Sequence, residues 1–158
     1  MKSKIAVKKK IIIRPEYCMA CRLCEIACLV KHSKSRQILK AFKEENLTLE
    51  ESRIQVQQQG EMSFALQCRH CEDAWCLESC LTGALHQDEI SGAILIDEEK
   101  CIGCWSCIMS CPYGVILRNQ KTRKVATKCD LCPDEKIPAC VMACPNEALI
   151  LRENKNEK

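Results

Sequence analysis

Sixteen cysteines in 158 residues constrain this chain more than any other feature, because they fall into four groups of four. Group I is Cys18, Cys21, Cys24 and Cys28; group II is Cys68, Cys71, Cys76 and Cys80; group III is Cys101, Cys104, Cys107 and Cys111; group IV is Cys129, Cys132, Cys140 and Cys144. Groups I and III share the spacing C-x2-C-x2-C-x3-C, groups II and IV change only the middle interval, to x4 and x7, and every group closes on the same x3 step. No cysteine is left over. A repeat of this kind dictates architecture before any other signal in the chain.

The cysteines must be structural because the ordinary core is thin. Leu, Ile, Val and Phe supply 37 side chains, about 23%, just above the level at which chains stay disordered. Disulfides, zinc or iron–sulfur clusters are the available staples. Met1 to Arg14 is rich in lysine, but its apolar run is only Ile11, Ile12 and Ile13 and no small-residue cleavage site follows, so it does not read as a secretory signal. No twin arginine and no apolar stretch of membrane-spanning length occurs. The expectation is a cytoplasmic protein without a membrane anchor, in a compartment that keeps thiols reduced and disfavours eight disulfides.

The spacing then separates zinc from iron. Three thiolates in C-x2-C-x2-C sit on one curled loop and reach three irons of a cubane, while the fourth cysteine enters the following helix, faces away and ligates the other cluster of a pair. Group III completes this two-cluster signature with Pro112; group I matches it in spacing but carries Leu29 where proline is expected. Zinc sites favour two C-x2-C hooks and have no use for a third close cysteine, so only group IV, taken alone, leaves a zinc reading open, and even there iron–sulfur is favoured. The expected cofactors are four [4Fe-4S] clusters on sixteen thiolates.

Other chemistry is excluded by what the chain lacks. Its five glycines never come closer than nine residues to one another, which rules out both the dinucleotide fingerprint and the phosphate-binding loop. Three histidines without a nucleophile elbow make no triad. With every iron position matched by a thiolate, His32, His70 and His86 have no ligand vacancy to fill. Residues 1–60 hold 13 Lys and Arg against 6 Asp and Glu, and residues 61–158 hold 11 against 15. Four oxidised clusters add about −8, so a formal +3 becomes about −5 and nucleic-acid binding loses its electrostatic motive.

Between the groups the chain reads as hairpins and short helices. Thr82 to His86 and Ala93 to Asp97 flank a turn, Gly114 to Arg118 and Lys124 to Lys128 flank the polar turn Asn119 to Arg123, and Arg53 to Gln57 pairs with Phe64 to Gln67. Lys10 to Arg14 and Ala148 to Leu151 are terminal strands. Each group opens a helix: Glu25 to Val30, Asp73 to Ser79, Ser106 to Met109 and Ala139 to Ala143. In the insertion over residues 32–51, Ile38, Leu39 and Phe42 form an apolar stripe at helical spacing, expected to cover the protein's own clusters. The fold class is α+β: tandem bacterial-ferredoxin-like modules, small β-hairpins and short helices around four [4Fe-4S] clusters.

These residues resemble the iron–sulfur electron-transfer subunits of the dimethyl sulfoxide reductase beta-subunit family over Lys10 to Leu151. The run Cys18-Met-Ala-Cys-Arg-Leu-Cys-Glu-Ile-Ala-Cys, then Ser52-Arg-Ile-Gln-Val, then Gln67-Cys-Arg-His-Cys is most similar to the ferredoxin-like partner of carbon-monoxide dehydrogenase. The resemblance implies a single four-cluster domain, residues 1–158, of two interleaved ferredoxin-like halves, 10–31 with 112–151 and 52–111. It also implies which cysteines share a cluster, which the intervals alone leave open: Cys18, Cys21 and Cys24 with Cys144; Cys129, Cys132 and Cys140 with Cys28; Cys68, Cys71 and Cys76 with Cys111; Cys101, Cys104 and Cys107 with Cys80.

Two departures stand out. Leu29 and Leu81 replace a proline that often follows a fourth cysteine, and Trp105 sits between intact ligands, where it is expected to shield a cluster from solvent. The implied function is a non-enzymatic, one-electron relay of anaerobic metabolism. Its partners are a catalytic metalloenzyme, carbon-monoxide dehydrogenase before formate dehydrogenase, aldehyde oxidoreductase or hydrogenase, and a second redox protein such as a flavin-dependent NAD(P) oxidoreductase or a hydrogenase. A free-standing polyferredoxin and a zinc-stapled interaction module are the competing readings.

Overall fold

Every regular element is short, none exceeding ten residues among the described residues. The computed structural model describes residues 7–119 and 125–155. Within them run β1 (Val7–Ile13), α1 (Leu23–His32), α2 (Ile38–Lys43), β2 (Ile54–Gln59), β3 (Met62–Gln67), α3 (Trp75–Glu78), β4 (Leu85–Gln87), β5 (Ile94–Ile96), α4 (Ser106–Ser110), β6 (Leu117–Arg118), β7 (Ala126–Thr127), α5 (Ala139–Met142) and β8 (Leu149–Lys155). The strands form four two-stranded ribbons, β1 with β8, β2 with β3, β4 with β5 and β6 with β7. Each expected helix is present within a few residues of its bounds, α1 being longer at both ends. The turn expected over Asn119 to Arg123 lies, from residue 120 onward, outside the described residues. Among the described residues no helix is long and apolar enough to cross a membrane.

The chain divides into two compact units, one of Ile11–Gln67 with Cys132–Leu151, the other of Met1–Lys10 with Cys68–Leu131 and Arg152–Lys158. In the first, α1 packs on α5 and β2. Its core joins Ile54, Val56, Ala65 and Leu149 to the buried Cys24, Cys28 and Cys140, with Cys18 and Cys144 at its edge. The β2–β3 register pairs Ile54 with Gln67 and Val56 with Ala65, so the two-residue period of the strands delivers one apolar face to α1. Lys31, near the end of α1, holds the group IV loop through Glu135 at 2.7 Å and Asp134 at 3.3 Å.

Glu25 ties the hairpin to α1. Its side chain is 2% exposed, and Oε1 accepts the Val56 N–H at 2.6 Å, while the Ser52 hydroxyl donates to the Glu25 carbonyl oxygen at 3.3 Å. A charged acceptor for a buried N–H contributes roughly 1.5–3 kcal/mol. The half-exposed Arg22 at 3.3 Å adds little through solvent-screened charge. Glu25→Ala is therefore expected to destabilise the cluster-loaded protein by about 2 kcal/mol and Glu25→Gln by less, read as the shift of the urea midpoint under anaerobic conditions.

In the second unit α3 packs on α4. Leu85, Ile94, Ile116, Ala74 and Ala126 surround Cys107, and Cys71, Cys76, Cys80, Cys101 and Cys111 line the edge of that core. The Ser79 and Ser110 hydroxyls meet at 2.6 Å and join the ends of the two helices. Each unit thus pairs two cysteine-bearing helices, α1 with α5 and α3 with α4, while Cys129 of group IV falls in the second unit.

The insertion departs from expectation. Helix α2 forms where the stripe predicts it, but it buries Ala41 and leaves Ile38 53% and Leu39 71% exposed. In fewer than two turns, Ala41 is the one buried residue of the helix. Of the stripe, Ile38 and Leu39 face solvent and Phe42 is half-buried.

Candidate metal centres

The cysteine loops share an unusual backbone. In all four groups the residue two after the first cysteine is left-handed: Ala20 (φ 54°), His70 (46°), Gly103 (72°) and Leu131 (63°). In groups I and III a second one follows at the same relative position, Arg22 (59°) and Trp105 (64°). Only Gly103 adopts this conformation freely; each of the others costs roughly 1–3 kcal/mol unless its surroundings enforce it. Alternating right- and left-handed residues turn successive N–H groups toward one side and make a concavity for anions, a geometry found at iron–sulfur sites.

The cysteine groups converge on cavities. One, in the first unit, is lined by Cys18, Cys21, Cys24 and Cys144, with Tyr17, Met19, Val56 and Leu149 among its walls. The other, in the second unit, is lined by Cys80, Cys101, Cys104 and Cys107 with Ile96, Ile102 and Trp105. Backbone N–H groups reach the fourth cysteines, Ala148 to Cys144 Sγ at 3.2 Å and Leu85 to Cys80 Sγ at 3.5 Å. Trp105 forms part of the second wall, its ring 4.6 Å from the Arg118 guanidinium carbon.

A third gathering involves groups II and III, where burial pushes the Cys76 thiol up to about 11, with Cys68, Cys111 and Cys107 adding repulsion and Lys128 opposing it. Cys28 is buried, as are Cys129, Cys132 and Cys140. His32 Nδ1 lies 3.7 Å from Cys28 Sγ and 2.8 Å from the Cys28 carbonyl oxygen. Cys71 lies partly buried beside the core of the second unit.

The donor chemistry fits iron–sulfur clusters. Burial, helped by Glu25, Cys21 and Cys144, pushes the Cys24 thiol up to about 12, so this thiol ionises readily only beside a cationic core. In the second cavity burial also opposes ionisation of Cys80, but N–H groups of Leu85, Thr82 and Ala84 and the Thr82 hydroxyl outweigh it and hold the thiol below its ordinary value. The backbone and hydroxyl of Ser106 do the same for Cys104.

His70 adds a buried donor. Its Nδ1 accepts the Ile94 N–H at 2.9 Å, which leaves the proton of the neutral ring on Nε2, and that atom is buried without a partner among the described residues. Burial and the nearby Lys128 charge hold the ring neutral, its pKa near about 3. A buried N–H without an acceptor, between Cys68 and Cys71 in sequence, is what a loop shaped for an anionic cluster leaves open. His86 is exposed, and none of the three histidines lines either four-cysteine cavity. Sequence reasoning missed Lys128 and Glu25; the one available signal was a lysine directly before the first cysteine of group IV.

Comparison with known proteins agrees in kind. Residues 59–154 match the 4Fe-4S dicluster domain family. The chain is 39% identical over 160 residues to an iron–sulfur protein of Rhodospirillum rubrum, covering 90% of this chain and 82% of the relative. It is 37% identical over 164 residues to the electron transport protein HydN of Escherichia coli, strain K12, covering 94% and 90%. Among solved structures, a chain of the active site complex BamBC of benzoyl coenzyme A reductase shares the fold, with a TM-score of 0.54 at 22% identity over 96% of this chain and 82% of that one.

Proposed function

We propose, because this chain belongs to the 4Fe-4S dicluster domain family, that it conducts single electrons through four [4Fe-4S] clusters and performs no substrate chemistry of its own. The observation that carries the reading is the pair of cavities with four cysteines each, Cys18, Cys21, Cys24 and Cys144 in one, Cys80, Cys101, Cys104 and Cys107 in the other. In this assignment Cys68, Cys71 and Cys76 with Cys111, and Cys129, Cys132 and Cys140 with Cys28, hold the remaining two. When bound, the clusters supply one-electron chemistry at a potential set by their surroundings.

The chain's own residues do the rest. The left-handed loop positions aim N–H groups at the sulfurs, the Leu85 and Ala148 amides stabilise the fourth thiolates, and Val56, Leu149, Ile96 and Trp105 limit water around the sites. Hydrogen bonds to sulfur and exclusion of water are the levers that tune such centres.

The similarity to electron transport and iron–sulfur proteins supports a relay between a catalytic metalloenzyme and a second redox protein. By the resemblance of the group I run to the dimethyl sulfoxide reductase beta-subunit family, carbon-monoxide dehydrogenase is the first partner to try, then formate dehydrogenase, aldehyde oxidoreductase and hydrogenase. The far partner would carry a flavin, because a one-electron wire needs such a cofactor to exchange electron pairs with a pyridine nucleotide.

Anaerobic purification with metal and sulfide analysis tests the core of the proposal: about sixteen irons and sixteen sulfides per chain are expected. A colourless protein holding about four zinc ions overturns it. Reduction by carbon monoxide with purified carbon-monoxide dehydrogenase, but not by formate with formate dehydrogenase, is the expected partner result. Reduction by low-potential ferredoxin donors alone favours a free-standing polyferredoxin.

A further inference from the structure

Lys128 is the one buried lysine among the described residues, 3% exposed. Its Nζ donates to the carbonyl oxygens of Ile94 and of Cys129, the latter at 3.0 Å, and to Cys68 Sγ at 3.5 Å. These three acceptors among the described residues match the three N–H groups of an ammonium, whereas a neutral amine would turn its lone pair on one of them. None of the three acceptors is a carboxylate. A buried cation is stable only where a negative charge answers it, and the group able to carry one among these contacts is the Cys68 sulfur.

The site is built rather than incidental. Ile94, in β5, holds two buried polar side chains: its N–H donates to His70 Nδ1 and its carbonyl oxygen accepts from Lys128 Nζ. The backbone of one residue thus fixes an imidazole and an ammonium beside group II.

We propose that Lys128 is a positioning residue for electron transfer, a fixed positive charge that raises the reduction potential of the cluster held by Cys68, Cys71, Cys76 and Cys111. The inference rests on the ligand assignment proposed above. In a one-electron reduction the cluster and its four thiolates pass from a net charge of −2 to −3; a nearby cation stabilises the more negative state more strongly, so reduction becomes easier. No proton need move and no bond forms or breaks.

The test is a mediated dithionite titration of the cluster-loaded chain followed by electron paramagnetic resonance, the relevant signal being the one that Cys76→Ser abolishes. Lys128→Met is expected to lower the equilibrium constant for reducing that cluster at least tenfold, about 59 mV for one electron, with iron content unchanged. Lys128→Arg should restore most of the shift. Should Lys128→Met fail to retain the cluster, Lys128→Gln, which keeps donors without charge, carries the test. A fully loaded Lys128→Met or Lys128→Gln protein with the wild-type midpoint overturns the role of Lys128. A wild-type chain with no Cys76-dependent cluster overturns instead the assignment on which it rests.

Discussion

Cys144→Ser is expected to abolish or convert one cluster and leave three intact, the lost signal belonging to the site of Cys18, Cys21 and Cys24, 120 residues earlier in the chain at its nearest point. Cys144 shares a cavity with those three cysteines and adds to the repulsion that raises Cys24. Its sulfur also accepts the Ala148 amide, as a thiolate ligand would. Iron analysis and electron paramagnetic resonance of the anaerobic variant check the result. Damage confined to the cluster of Cys129, Cys132 and Cys140, its neighbours in sequence, would show that each group serves its own cluster.

Removing all clusters should unfold the chain. Among the described residues the buried apolar set has ten large aliphatic side chains, from Leu29 to Leu149, and no aromatic; the rest are seven alanines and seven cysteines. Much of each core is therefore thiol, placed around a cavity rather than against another side chain. Five non-cysteine residues also hold left-handed loop conformations, Ala20, Arg22, His70, Trp105 and Leu131, at roughly 1–3 kcal/mol each, and relax once nothing anchors the loops. Structural metal sites contribute roughly 10–16 kcal/mol in small domains, enough to decide folding here. Circular dichroism of the chelated or air-oxidised apoprotein should show loss of helix and no cooperative melt. A native-like apoprotein with a sharp thermal transition would refute this account of the core.

What can be read from the residues follows from range. A cysteine spacing of two or three acts within one turn of chain, so the loops, the helices opened by each group and the flanking hairpins are local and legible: Ser106–Ser110 and Ala139–Met142 arise close to where the spacing places them. The chemistry is equally local, because a third close thiolate already disfavours zinc. Which loops share a cavity is a different matter. The intervals between groups II, III and IV are alike, and only long-range packing, α1 on α5 and α3 on α4, brings Cys144 to Cys24 and Cys80 to Cys107.

The same packing decided the rest. It gave the β2–β3 hairpin to the core of groups I and IV, through the buried faces of Ile54 and Val56, and left Ile38 and Leu39 of α2 exposed while burying Ala41. It also brought Lys128 to Cys68 across 60 positions. A lysine in a sequence is by default a solvated charge; only a fold that surrounds it with carbonyl oxygens and a thiol makes it part of a redox site.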